Sequence, residues 1–288
     1  MKIVLLLTLL YAQAYATELT DAVAKKDRQK VQQLLAEGAD VNEPKGTDWA
    51  PLYAAAAFAD KEIAQLLLDK GADINGPIGT RPTPLFVATS HNNIEVAKLL
   101  IDKGADINKY DLFRTTPFHR AAEKGNKEIA QLLIYAGADP FIQNKEGKTA
   151  LDLTLQTVFG VPEKVVLGGR KEIQGMLEQY MPLFQEAQQK PTYDTLRKMI
   201  ERGYPGLVKQ LLTKIPATQE QITQLTQLGK VAQAQFIATN NPTYKQIGQI
   251  LKDYLSVLRL KDGTTASGAR VPAEITHLLA GYTLEDRE

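Results

Sequence analysis

Apolar and polar positions recur along the first half of the chain at a fixed interval. Ile63 and Leu66, Val96 and Leu99, and Ile129 and Leu132 stand at matching places in successive stretches. Their spacing of three puts each pair on one face of a helix. Gly-Ala-Asp recurs with the same 33-residue interval, at Gly38, Gly71, Gly104 and Gly137. In the same phase lie Ala50-Pro51-Leu52-Tyr53, Thr83-Pro84-Leu85-Phe86, Thr116-Pro117-Phe118-His119 and Thr149-Ala150-Leu151-Asp152, with Thr17-Glu18-Leu19-Thr20 as a weak opening copy.

The pattern predicts a helical hairpin in each repeat. Thr116 is a good N-cap, and Pro117 loses nothing at the first helical position, where an N–H has no partner inside the helix. Ala121 and Ala122 are small enough for close helix approach. Gly125-Asn126 breaks the chain before a second helix bearing Ile129, Leu132 and Leu133. Gly137 then stands where a left-handed C-cap is wanted, and a polar stretch with Asn144 and Gly147 suits a turn into the next repeat. Such a hairpin buries its apolar face only against its neighbours, so the ends of the array need polar caps. Lys30 and Gln33 fit that need, because they replace the apolar pair of the later repeats.

These residues resemble the ankyrin repeat family over about half of the chain, residues 17–153, with repeats starting at 17, 50, 83, 116 and 149. The resemblance implies an all-α fold, a helical solenoid, continued here by degenerate repeat-like helices. It also implies protein binding through the turn tips and the inner face of each first helix. Carried over by register, the tips hold Trp49, Tyr110, Leu112 and Phe113, and the first helices end in Phe58, Ser90, His91, Glu123 and Lys124. We take Trp49, Phe58, His91, Tyr110, Leu112, Phe113 and Lys124 as the candidate partner-binding residues. The alternative is that Trp49 and Phe113 pack between adjacent tips. His119 falls at the histidine of the Thr-Pro-Leu-His pattern, which the family uses for hydrogen bonding and not for catalysis.

Beyond residue 153 the pattern loosens. Lys171-Glu172-Ile173 resembles Lys127-Glu128-Ile129 after an eleven-residue insertion near 158–170. Glu201-Arg202-Gly203 followed by 207–212 resembles a degraded hairpin, so residues 154–214 are expected to continue the stack. Pro191-Thr192-Tyr193 and Pro242-Thr243-Tyr244 each open a segment of helical period in what becomes, from 215, a C-terminal helical region. Residues 261–270 are a glycine-containing connection to a final helix predicted over 272–282.

Composition narrows the function. Lys plus Arg number 34 against 33 for Asp plus Glu, and the net charge of +1 supplies no field for nucleic acid. The absence of cysteine excludes disulfides and thiolate chemistry. The three histidines have no catalytic neighbours in sequence, and no metal-ligand spacing or cofactor motif occurs. Gly168-Gly169-Arg170 ahead of a helix lacks the rest of a phosphate-binding pattern. Asp40, Asp73, Asp106 and Asp139 recur with the repeat and are expected to be scaffold.

At the N-terminus, Lys2, the apolar run Ile3 to Leu10 and Ala14-Tyr15-Ala16 form a cleavable leader over residues 1–16, which predicts a secreted or periplasmic protein, exported from a bacterial cell and without a membrane span. The expectation is a monomeric, non-enzymatic scaffold that binds an envelope or host protein and needs no cofactor. Two other readings stay open: a targeting arm for an enzyme located in 154–288, and a structural or chaperone-like envelope protein.

Overall fold

The computed structural model describes residues 18–42, 50–58, 60–76, 82–155, 163–215 and 219–261. The leader, Trp49, residues 158–162 of the expected insertion and the segment after Lys261 lie outside them. The described elements are helical, with no strand among them. The chain divides into two compact parts: residues up to Ile129 with Gln143–Lys148, and Ala130–Ile142 with the chain from Thr149 on.

The first part contains α1 (18–24), α2 (Arg28–Ala36), α3 (Pro51–Phe58), α4 (Lys61–Asp69), α5 (Pro84–Ser90), α6 (Ile94–Asp102), α7 (Pro117–Lys124) and the opening turn of α8 (Lys127–Ala136). Local chemistry starts several of these helices. Thr83 accepts the Phe86 N–H at 3.1 Å to open α5, and Thr116 accepts that of His119 at 3.3 Å to open α7. Pro84 and Pro117 occupy the first turn in both cases. The second helices α2 and α4 use acidic caps, Asp27 on Lys30 and Asp60 on Ile63, whereas Asn93 at the start of α6 makes no such cap bond.

A left-handed residue turns each described hairpin. Lys26, Asn92 and Gly125 have φ of 58°, 55° and 73°, at one position of three repeats. The next N–H then reaches back five residues: Asp27 to Ala22, Asn93 to Ala88 and Asn126 to Ala121. First helices stack on first helices, α3 on α5 on α7, and second on second, α4 on α6. The interior is made of Ala55, Ala56, Ala88, Ala121 and Ala122 with Ile63, Val96 and Ile129, all buried. The first repeat is capped as its sequence implies: Lys30, in the register of Ile63, is half-exposed and pairs with Glu18 at 2.8 Å.

Side chains also lock the repeats to one another. Asn93 donates to the carbonyls of Ala56 and Ala57, and Asn126 to that of Thr89 at 2.6 Å, completing the ends of the preceding first helices. At the opposite loops the carboxylates of Asp40, Asp73 and Asp106 accept the N–H groups of Asn42, Asn75 and Asn108 at 2.9 to 3.0 Å. The repeated aspartates therefore hold turns.

The second part holds the rest of α8, then α9 (Ala150–Thr154), α10 (Glu163–Gln189), α11 (Tyr193–Glu201), α12 (Pro205–Leu212), α13 (Gln219–Thr239) and α14 (Pro242–Lys261). The same construction persists here. Thr192 caps α11, and Gly203, at φ 74°, turns α11 into α12. The Tyr204 N–H reaches back to Met199 just as Asn126 does to Ala121. Helix α11 packs on α13 and α12 on α14, and Tyr244 donates to the Glu201 carbonyl at the end of α11.

The helix bearing Lys171 does not open there. It is continuous from Glu163 through Pro182 to Gln189, so Lys171-Glu172-Ile173 lies inside α10 and the expected insertion is helical from residue 163. Pro182 removes one N–H from the ladder, yet the buried stripe Ile173, Leu177, Tyr180, Phe184 and Ala187 keeps the helix packed on both sides of it. Tyr180 donates to the Ala138 carbonyl at 2.9 Å, with the Tyr204 ring 5.5 Å and the Phe184 ring 5.8 Å away.

Candidate partner-binding surface

The best-defined turn tip is 111–115, which the sequence folds by an aspartate placed at its start. Asp111 accepts the N–H groups of Phe113 and Thr115, both at 2.9 Å, while its own N–H donates to the Thr115 carbonyl. The next tip repeats this geometry with Asn144, which accepts from Glu146 and Lys148 and donates to the Lys148 carbonyl. The two tips are joined directly, because the Lys145 N–H donates to the Phe113 carbonyl at 2.8 Å. His119 ties the second tip to α7: its Nδ1 accepts the Thr116 N–H, and Nε2 faces the Lys148 carbonyl at 3.0 Å. That network assigns the Nε2–H tautomer and gives this buried histidine a structural role.

The apolar side chains of this tip are exposed. Tyr110 is 52%, Leu112 48% and Phe113 66% exposed. They sit within four residues of one another, so one turn carries three exposed apolar side chains. Arg114, which sequence reasoning passed over, stands with its guanidinium 5.4 Å from the centre of the Tyr110 ring. Its φ is 57°, and the matching residue of the next tip is Gly147, at 73°. The 33-residue offset from Gly147 was the available signal: a non-glycine residue where the turn asks for glycine.

Phe58, His91 and Lys124 occupy one register position at the ends of α3, α5 and α7, three helices that pack side by side. All three are exposed, Phe58 to 47%. His91 caps α5 and bonds the Val87 carbonyl through Nδ1 at 3.0 Å. Ser90 turns inward to the Phe86 carbonyl, and Glu123 is held by Arg120 at 2.6 Å, so neither projects freely. The Arg120 guanidinium lies 4.9 Å over the Phe86 ring. The structure thus gathers the candidates into a tip cluster (Tyr110, Leu112, Phe113) and a helix-end row (Phe58, His91, Lys124). Trp49 lies outside the described residues.

Among the described residues no three His, Cys, Asp or Glu side chains are grouped so as to hold a metal, and no helix is long and apolar enough to cross a membrane. A family model described as ankyrin repeats in three copies matches residues 19–111, and one described as ankyrin repeats in many copies matches residues 100–153. Residues 19–153 are ankyrin repeats. No curated protein matches the chain. Ankyrin repeats are a protein–protein interaction module, typically without catalysis, and in this chain they assemble as a helical repeat solenoid. The helices from α10 on lie beyond both family models, although α11 with α12 shares the ankyrin hairpin's left-handed turn and back-bond.

Proposed function

We propose that this chain is an exported, non-enzymatic scaffold whose ankyrin repeats hold an envelope or host protein. The observation that carries the reading is the exposure of Tyr110, Leu112 and Phe113 on a tip that Asp111 holds by accepting the Phe113 and Thr115 N–H groups. Aromatic side chains on a rigid support lose little freedom when a partner covers them, and such residues dominate protein interfaces. Phe58, His91 and Lys124 extend the surface along the first helices.

Crosslinking in the native cells, followed by mass spectrometry, tests the scaffold. A specific partner captured by the wild-type chain and lost with Phe113→Ala is the expected result; capture unchanged in that variant would remove the tip from the interface. Export rests on the charged and apolar leader of residues 1–16. N-terminal sequencing of the protein outside the cytoplasm should begin at Thr17, and recovery from the cytoplasm with Met1 or Lys2 still present would overturn it.

A further inference from the structure

We propose that the Phe113 tip binds an acidic segment of the partner, with an apolar residue of that segment seated on Phe113 and carboxylates on either side. This inference rests on the reading of the tip as an interface, and it adds the chemistry of what lies against it.

Two cations flank the apolar cluster. Arg114 follows Phe113 directly, and Lys145 is hydrogen-bonded through its backbone to the Phe113 carbonyl. Both are exposed, and neither has a carboxylate partner among the described residues. The anions of the same tips are already used. Asp111 accepts two backbone N–H groups, and Glu146 pairs with Lys148 at 2.7 Å. What remains for a partner is positive charge beside aromatic surface. The Arg114 guanidinium stands 5.4 Å from the centre of the Tyr110 ring, which holds beside the aromatic surface a planar fork suited to bidentate pairing with a carboxylate.

The backbone supports the same assignment. Arg114 adopts a left-handed conformation that L side chains disfavour, at the position where the neighbouring tip has Gly147. Glycine would suit the turn better, so the backbone of the turn does not require the arginine, whose guanidinium lies instead beside the exposed Tyr110 ring. The chain's net charge of +1 argues against a general attraction for anions and favours a local site.

The test is selection of random linear peptides displayed on phage against the full chain, followed by affinity measurement on the selected peptides. The expected peptides carry Asp or Glu around an aromatic or aliphatic residue and weaken as salt is raised. Phe113→Ala should weaken them about thirtyfold, and Arg114→Gln or Lys145→Gln about fivefold each. The two charge variants lie on exposed side chains and leave the fold intact, so the test holds even if Phe113→Ala destabilises the tip. Selected peptides that are neutral or basic, or that ignore both charge variants, would overturn the acidic preference. If such peptides were still lost with Phe113→Ala, the tip would remain an interface of different chemistry. Failure to select any peptide would overturn the inference too, while cellular crosslinking decides the scaffold reading separately.

Discussion

Asn75 accepts the backbone N–H of Asp106 on its side-chain oxygen at 2.8 Å, and Asn42 accepts that of Asp73 in the same way at 2.7 Å, so an asparagine in each of these loops fastens the loop one repeat further on. The bond is exposed, and exchange with water limits its net worth to about 1 kcal/mol. Asn75→Ala is therefore expected to lower stability by roughly that amount, a drop of a few degrees in Tm. Thermal unfolding followed by circular dichroism reads it, and an unchanged midpoint would mean that water replaces the asparagine without loss.

Phe113→Ala and Leu133→Ala should separate binding from stability. Leu133 is fully buried in α8, and its truncation is expected to cost about 2–5 kcal/mol through lost burial and the cavity left behind. Phe113 is mostly exposed, and its truncation should leave Tm within a degree or two while weakening partner capture. Denaturant titration of both variants beside a pull-down decides the matter. Unfolding of the Phe113 variant would show the ring to be a packing residue of the tip.

Two glycines in helices should respond oppositely to alanine. A Cβ at Gly206 would fall on the carbonyl of Ala136 and the backbone N of Gly137, so Gly206→Ala must push α12 off the end of α8 at a cost of about 1–3 kcal/mol or more. A Cβ at Gly229, in the middle of α13, meets nothing within 4 Å, and Gly229→Ala should gain up to about 1 kcal/mol from helix propensity. Urea midpoints measure both, and equal effects would contradict the close approach of α12 to Ala136.

Alkali should destabilise the second part through its phenols. Burial holds Tyr254 up at about 12, and burial also raises Tyr180, Tyr193, Tyr204 and Tyr244 above the ordinary tyrosine range near 10. A proton bound more tightly in the folded state supports folding below the unfolded value and ceases to as pH rises from about 10 toward 12. Stability should fall across that window, and Tyr254→Phe, which has no proton to lose, should fall less steeply. Parallel pH titrations of Tm would show it; identical slopes would mean that Tyr254 is not titrating against folding.

The repeats were legible because each device recurs in the same register: the Thr-Pro cap, the paired alanines and the Gly-Ala-Asp corner announce helix starts, close contacts and ends. Gly203 was readable for the same reason, as a glycine placed like Gly125. What failed was the start of α10. Lys171-Glu172-Ile173 looks like a helix opening, but residues from Glu163 on extend the helix backward, and nothing local marks where a helix held by its buried stripe must begin. The tip candidates Tyr110, Leu112 and Phe113 were found from register alone. Arg114 was missed because its signal, a non-glycine 33 residues before Gly147, shows only when the two tips are compared in register.

Among the described residues of the first part, side-chain bonds tie one repeat to the adjacent one: Arg28 to Asp60 and Glu62, Asn42 to Gly71, Asn93 to Ala56 and Ala57, Asn126 to Thr89. Couplings of this kind bear a pulling force in series. Tension applied between the ends of residues 18–129 would then be met by one hairpin at a time, each release paying out roughly 110 Å of chain before the next begins to yield. Stretched as a single molecule, the array should trace a staircase of low steps where a domain held by long-range contacts gives one high peak, and a partner seated across neighbouring tips would fuse the steps it covers.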